Sequence, residues 1–320
     1  METNSQPIKD LVERSSFIKL EAGKLGFDAC GIAPAHPLPV ETRKHYRQWL
    51  KQGYQGDMYY MERNLEIRLD PTKLVQGATS VIVVALNYDT LQPTSMPKIA
   101  KYARRPDYHP FIRERLHALL ERIRETGVEV TGRAFSDSAP LSERYWAEQA
   151  GLGWVGRNNL LILPGKGSWH LLGALVITLP LSYDKPAKNR CGTCRRCIDA
   201  CPSQALDTEK GFDARRCLSY LTIEKRGDFD PSQTALLEGN DSFFGCDRCQ
   251  DSCPWNRFSG EATNPNYPLL PFLVNLDTNK LGQMDTDTFK GTFRGTSLER
   301  SGLDALVRNL KAIKKVRPFE

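Results

Sequence analysis

The stretch Cys191-Gly-Thr-Cys194-Arg-Arg-Cys197-Ile-Asp-Ala-Cys201-Pro202 decides how this chain is read. Its spacing, C-x2-C-x2-C-x3-C-P, is the run that wraps a cubane iron–sulfur cluster. Thiolates must reach several corners of one cube, and a short turn with a sulfur every three residues supplies them. The cysteine before proline points away and ligates a second cluster. A second half follows, with Cys217 alone and then Cys246-x2-Cys249-x3-Cys253-Pro254. Both halves close on Cys-Pro, so Cys191 to Cys253, with eight of the chain's nine cysteines, reads as an internally duplicated, ferredoxin-like two-[4Fe-4S] module. The spacing assigns Cys191, Cys194, Cys197 and Cys253 to one cluster and Cys201, Cys217, Cys246 and Cys249 to the other.

The gap from Cys217 to Cys246 departs from a plain ferredoxin, where a short turn is usual, so an insertion lies between the clusters. Structural zinc is the competing use of C-x2-C pairs, but such sites commonly take four cysteines in two pairs without the Cys-Pro ending. Disulfides call for an oxidising compartment and usually an even cysteine count.

The 320 residues are 40% hydrophobic and 26% charged, the composition of a globular protein with length for more than one domain. No apolar run reaches membrane-spanning length. Met1-Glu-Thr-Asn-Ser-Gln-Pro lacks the basic start and apolar core of a secretory signal, and no twin-arginine pair occurs there. The expected setting is the reducing cytoplasm, with no membrane partner. A net charge of +6 permits a nucleic-acid partner, though an ordinary mildly basic enzyme carries the same charge.

Ahead of the cysteines, Ile8, Leu11, Val12, Phe17, Ile18, Leu20 and Leu25 space as a helix ended by Gly26. A short strand over 27–33 and a helix over 41–52 are expected next, and leftover Cys30 reads as a small buried hydrophobe. Ser80 to Tyr88 is almost wholly apolar and β-branched, a buried central strand. Phe111, Ile112, Leu116, Leu119, Leu120 and Ile123 form an apolar helical stripe ending at Gly127. Around it lie Lys98, Lys101, Arg104, Arg105, Arg113, Arg115, Arg122 and Arg124, interleaved with Tyr102, Tyr108 and His109. That pattern suits either a backbone-tracking, base-stacking surface or a solvated helix face partly neutralised by Glu114, Glu121 and Glu125.

Val128 to Thr131 reads as a strand, and a helix over 141–150 follows, with Asp137 or Ser138 placed to cap it. Gly151-Leu-Gly153-Trp-Val-Gly156 formally matches G-x-G-x-x-G but follows a helix and precedes a strand, the reverse of the dinucleotide context. Leu160 to Leu163, the turn Pro164-Gly-Lys-Gly167 and Trp169 to Leu179 read as a hairpin. Past the cysteines, Leu303, Leu306, Val307, Leu310 and Ile313 make an amphipathic helix whose other face carries Arg308, Lys311, Lys314 and Lys315. Asp107-Tyr-His109 begins the D-x-H-x-x-G cobalamin signature but fails at Ile112. The residues alone lead to a cytoplasmic iron–sulfur reductase whose chemistry sits on a cofactor not openly declared.

Several blocks carry a family resemblance: Asp137-Ser-Ala-Pro-Leu-Ser-Glu-Arg144, Ala150-Gly-Leu-Gly-Trp-Val-Gly-Arg-Asn158, Arg216-Cys-Leu-Ser-Tyr-Leu-Thr-Ile-Glu224 and Gly245-Cys-Asp-Arg-Cys-Gln-Asp-Ser-Cys-Pro-Trp-Asn256. Over roughly residues 8–310 the chain resembles the epoxyqueuosine reductases. The resemblance implies an α+β fold: a mixed α/β cobalamin-binding catalytic domain over 1–180, the ferredoxin-like two-cluster domain over 181–256, and a short helical segment over 257–320. It implies cobalamin bound without the usual histidine signature, two [4Fe-4S] clusters, and a tRNA bearing epoxyqueuosine at the wobble position. Asp137 becomes the general acid for epoxide opening, which needs a pKa raised by burial. Arg63, Tyr102, Gly153, Trp154, Asn158 and Ser168 are the implied cobalamin pocket, with Ser219 and Asp247 placing cofactor against cluster. Residues 218–245, including Lys225 and Arg226, and the region from Lys98 to Arg124 are the implied tRNA contacts. A monomer with an unidentified electron donor is expected, without the C-terminal HEAT-type extension many members carry. The alternatives are a cobalamin-dependent reductase of the reductive dehalogenase kind and an iron–sulfur electron-transfer protein.

Overall fold

A computed structural model of the chain describes residues 10–207 and 211–314. They form two compact units, each gathered from separate stretches. The first takes residues up to Gln48, Tyr60–Asn87 and Tyr108–Gly192, and the second takes Trp49–Tyr59, Tyr88–Asp107 and the chain from Thr193 on. The division at 180 and 256 expected from the sequence follows the chain, whereas these units interleave along it.

The first unit is built on a four-stranded antiparallel sheet of β1 (Ala29–Pro34), β2 (Ser80–Asn87), β3 (Gly132–Phe135) and β4 (His170–Ile177), in the order β1-β2-β4-β3. Strand β2 pairs along its whole length with β4, Ser80 opposite Ile177 and Asn87 opposite His170, which makes it the buried strand its apolar run announced. Alternation decides what each face meets. Val81, Val83 and Ala85 join Phe135, Trp146 and Ala174 in one core, beneath helix α3 (Glu143–Gln149). On the other face helix α2 (Tyr108–Glu125) buries Ile112, Leu116, Leu119, Leu120 and Ile123. It lies so close that a Cβ on Gly173 of β4 would stand 2.4 Å from Ile112. Helix α1 (Leu11–Lys24) is capped by Asp10, whose side chain accepts the Val12 and Glu13 N–H groups. Ile8, expected in that helix, lies outside the described residues.

Two expectations are corrected here. The strand foreseen at 128–131 forms instead at Gly132–Phe135, where Gly132 fits because a Cβ would sit 2.6 Å from Ile177. The hairpin foreseen over 160–179 closes only at its turn, through the antiparallel Leu163–Gly167 bridge, and its arms do not pair. Leu161–Ile162 pairs with Trp154–Val155, while β4 takes β2 and β3 as partners.

In the second unit the duplication of the sequence becomes a duplication of shape. Arg196–Asp199 and Arg248–Asp251, reading Arg-Cys-Ile-Asp and Arg-Cys-Gln-Asp, are matching one-turn helices around Cys197 and Cys249. The insertion between the halves is ordered: helix Leu218–Ile223, helix Pro231–Leu237 with an Asp230/Gln233 capping box, and strand Ser242–Phe244 parallel to Lys98–Ile99. Phe243 and Phe244 share a core with Ile99, Leu273, Phe289, Phe293, Leu306 and Leu310, so the C-terminal helices pack on the insertion. Among the described residues no helix is long and apolar enough to cross a membrane.

Candidate active site

Asp137 lies where β3 gives out. Ser136, fully buried, anchors the strand end by donating from its hydroxyl to the Leu172 carbonyl at 3.0 Å. The next residue turns away: Asp137 has φ 52°, a left-handed conformation that aspartate tolerates better than most side chains. Its Oδ2 accepts the Tyr108 hydroxyl at 2.8 Å and lies 3.8 Å from His109 Nε2, and the Tyr108 and His109 rings stack at 4.0 Å. Its backbone N–H donates to Glu143 Oε1 at 2.8 Å.

Three findings differ from expectation. Asp137 does not cap the following helix, whose N-cap is Ser142 and which starts at Glu143. Its side chain is 62% exposed, not buried as the general-acid role asks. The desolvation falls on Glu143, which is hemmed in by protein. That burial, and next the Asp137 carboxylate beside it, push the Glu143 pKa up to about 8. Glu143 stands inside the Asp137–Arg144 block, but at i+6 no helical or strand periodicity joins it to Asp137.

The glycine block turns inward. A Cβ on Gly153 would stand 2.1 Å from the Ile162 carbonyl, and one on Gly156 would stand 2.5 Å from Ile162 Cδ1, so both glycines admit the neighbouring ribbon strand. Trp154 is fully buried, and its indole N–H donates to Cys191 Sγ at 3.4 Å, a bond the sequence did not announce. Asn158 is 5% exposed. Its Oδ1 accepts the Leu160 N–H, and its buried Nδ2 has no partner among the described residues. Ser168 is buried and Arg63 is exposed, both in the first unit. Half-buried Cys30 sits in β1, desolvation pushing its thiol up to about 12, which suits an inert packing role.

In the second unit the thiols gather. All the cysteines are free of disulfides. Burial first, and then neighbouring thiols, raise Cys217, Cys246 and Cys249: Cys217 feels Cys201, Cys246 feels Cys217, and Cys249 feels Cys217, Cys246 and Cys197. Backbone N–H groups of Tyr220 and Ser219 point at Cys217, and that of Ala205 donates to Cys201 Sγ at 3.3 Å. Desolvated thiols that oppose one another's ionisation, with N–H donors aimed at sulfur, fit a cationic iron core that would neutralise them. Among the described residues no three His, Cys, Asp or Glu side chains sit close enough to clasp a single ion. Asp247 accepts the Lys101 N–H at 2.8 Å, its own pKa raised to about 6 chiefly by burial, and Tyr102 packs against Phe244. Half-buried Ser219 lies in the first turn of helix Leu218–Ile223.

Much of the basic surface read from the sequence is committed internally. Arg104 and Arg105 are buried and donate to the carbonyls of Ile99, Gln92, Tyr88, Asp89 and Tyr267. Lys98 pairs with Asp241, Lys101 with Asp89, Arg122 with Glu21, Arg124 with Glu121, and Lys225 with Asp57. Arg115 lies over its own Phe111 ring. Arg308, read as part of an outer basic face, instead donates to the Leu221, Lys225 and Gly227 carbonyls and covers the Phe229 ring at 4.1 Å. Lys311 is exposed, while Lys315 and the side chain of Lys314 lie outside the described residues.

Residues 68–138 match the family model described as Epoxyqueuosine reductase QueG, DUF1730, and residues 190–256 match a 4Fe-4S double cluster binding domain. The epoxyqueuosine reductase of Cyclobacterium marinum is 42% identical over 307 residues, covering 94% of this chain and 97% of its own length. This chain belongs to the epoxyqueuosine reductase family. Among solved epoxyqueuosine reductases, one crystallised with a tRNA-Tyr epoxyqueuosine-modified stem loop is 26% identical with a TM-score of 0.85, over 95% of this chain and 81% of that one. Another, from Bacillus subtilis with its aspartate catalytic loop swung out of the active site, is 25% identical with a TM-score of 0.85 over the same shares. A catabolic reductive dehalogenase is 16% identical with a TM-score of 0.51, over 95% of this chain and 39% of that one, a likeness of fold alone.

Proposed function

We propose that this chain reduces epoxyqueuosine to queuosine at the wobble position of tRNA, the last step in making that base. The family match along almost the whole chain carries this reading. The reaction balances as epoxide plus two electrons and two protons giving alkene and water. Two [4Fe-4S] clusters and a cobalamin, when bound, supply the electrons one at a time, and an electron donor outside the chain reloads them. Cys191, Cys194, Cys197 and Cys253 hold one cluster and Cys201, Cys217, Cys246 and Cys249 the other. The partnerless amide of buried Asn158, with Ser168 and Arg63, belongs to the cobalamin pocket. Gly153 and Trp154 of the same unit are further candidates for it, and Tyr102, Ser219 and Asp247 of the second unit are candidates for cofactor contact. The protein works in the cytoplasm as a monomer.

Asp137 gives the proton. As the epoxide C–O bond opens, its oxygen gains alkoxide character, and a carboxylic acid within reach transfers a proton to it. The second proton completes water. The Tyr108 hydroxyl, already on Oδ2, stabilises the carboxylate that remains. Asp137→Asn removes the proton and keeps the shape. We expect turnover to fall by at least about 100-fold, with iron, sulfide and cobalamin content unchanged. Unimpaired turnover in that variant overturns the assignment.

A further inference from the structure

We propose that Glu143 is a positioning residue: its carboxyl latches the main chain of the Asp137 loop and keeps the proton donor turned into the site. The proposal rests on reading Asp137 as that donor. Its observations are local to the first unit. The left-handed φ of 52° at Asp137 is a backbone state that persists only where the surroundings hold it. The loop is pinned on one side by Ser136 on the Leu172 carbonyl, and on the other by buried Leu141, whose N–H donates to the Ala139 carbonyl.

Between these pins, two of the bonds that hold Asp137 differ in kind. The Tyr108 bond grips the side chain, which must present itself to the opening epoxide. The bond from the Asp137 N–H to Glu143 Oε1 grips the backbone and is indifferent to where the side chain points. It ties the loop to the first residue of α3, a helix whose Trp146 and Ala147 are fully buried in the sheet core.

The ordinary explanation for an acid at the start of a helix is interaction with the helix dipole. That role asks for an ionised carboxylate facing its own helix, whereas Oε1 is turned six residues back to Asp137. A neutral carboxyl accepts an N–H through its carbonyl oxygen, as a glutamine does. The Bacillus subtilis relative, solved with its aspartate catalytic loop swung out, marks this as a segment for which a latch has a function.

The test compares variants of the full chain that separate acceptor from charge. Glu143→Gln keeps the acceptor and cannot ionise, Glu143→Ala loses the acceptor, and Glu143→Asp keeps a carboxyl with a shorter reach. Hydrogen exchange of the peptide over residues 135–142 reads the latch without reference to turnover. We expect wild-type protection in the Gln variant and faster exchange in the Ala and Asp variants. We also expect kcat of the Ala variant to be about tenfold or more below that of the Gln variant, with the KM for tRNA alike. Equal protection in all three, or a Gln variant that exchanges as fast as the Ala variant, overturns the latch. If the Ala variant does not fold, the Asp variant decides. A fully active Asp137→Asn enzyme overturns the donor reading and leaves the exchange result to judge the latch separately.

Discussion

Asp137 and Glu143 place two carboxyl groups around one peptide N–H, with Arg144, His109 and Tyr108 as the other titratable groups close by. An acid whose pKa is raised is neutral below the raised value and anionic above it. With its pKa at about 8, Glu143 stays neutral through neutral pH and ionises as pH rises past that value. Turnover that needs a proton here should be full below about pH 8 and fall above it. Glu143→Gln cannot ionise, so the falling limb set by Glu143 should disappear. Profiles of kcat against pH for the two proteins check this, and coincident limbs contradict it. The sequence marked Asp137 through the block around it but gave no sign of Glu143, because a side chain reaching back to a loop N–H follows no period. Asn158 was legible as a position, but its orphaned amide shows only once the ribbon beside it has closed.

At the scale of elements, the molecule places its first-unit chemistry through the contact of α2 with the sheet. Tyr108 and His109 stand at the start of α2, and α2 is seated on Gly173. Gly173→Val should lift the helix, with a stability loss of about 1–3 kcal/mol from overpacking and a weaker Tyr108 grip on Asp137. Urea unfolding, read beside kcat, tests both parts, and an unchanged midpoint contradicts the seating. Strand β2 was legible because burial on both faces leaves an unbroken apolar run. The cysteine halves were legible because cluster ligation imposes its spacing on a single turn. The false hairpin at 160–179 shows the opposite case: pairing partners of β4 lie far away in sequence, and no local rule selects them. The terminal helix was read correctly as amphipathic. The role of Arg308 was missed, since unpaired carbonyls in a distant insertion leave no mark on the helix pattern.

At the scale of the whole chain, the net charge of +6 overstates the cation available to a nucleic acid. Arg104, Arg105, Arg308, Lys98, Lys101 and Lys225 are held by carbonyls or carboxylates of the protein itself. The basic run from Lys98 to Arg105 is bound into the second unit by these partners. The most direct measurement is mass spectrometry of tRNA carrying epoxyqueuosine after incubation with the chain, purified without oxygen and supplied with iron, sulfide, cobalamin and a strong reductant. Loss of one oxygen atom from the modified base, dependent on cobalamin, is the predicted result; an unchanged base under those conditions would contradict the account.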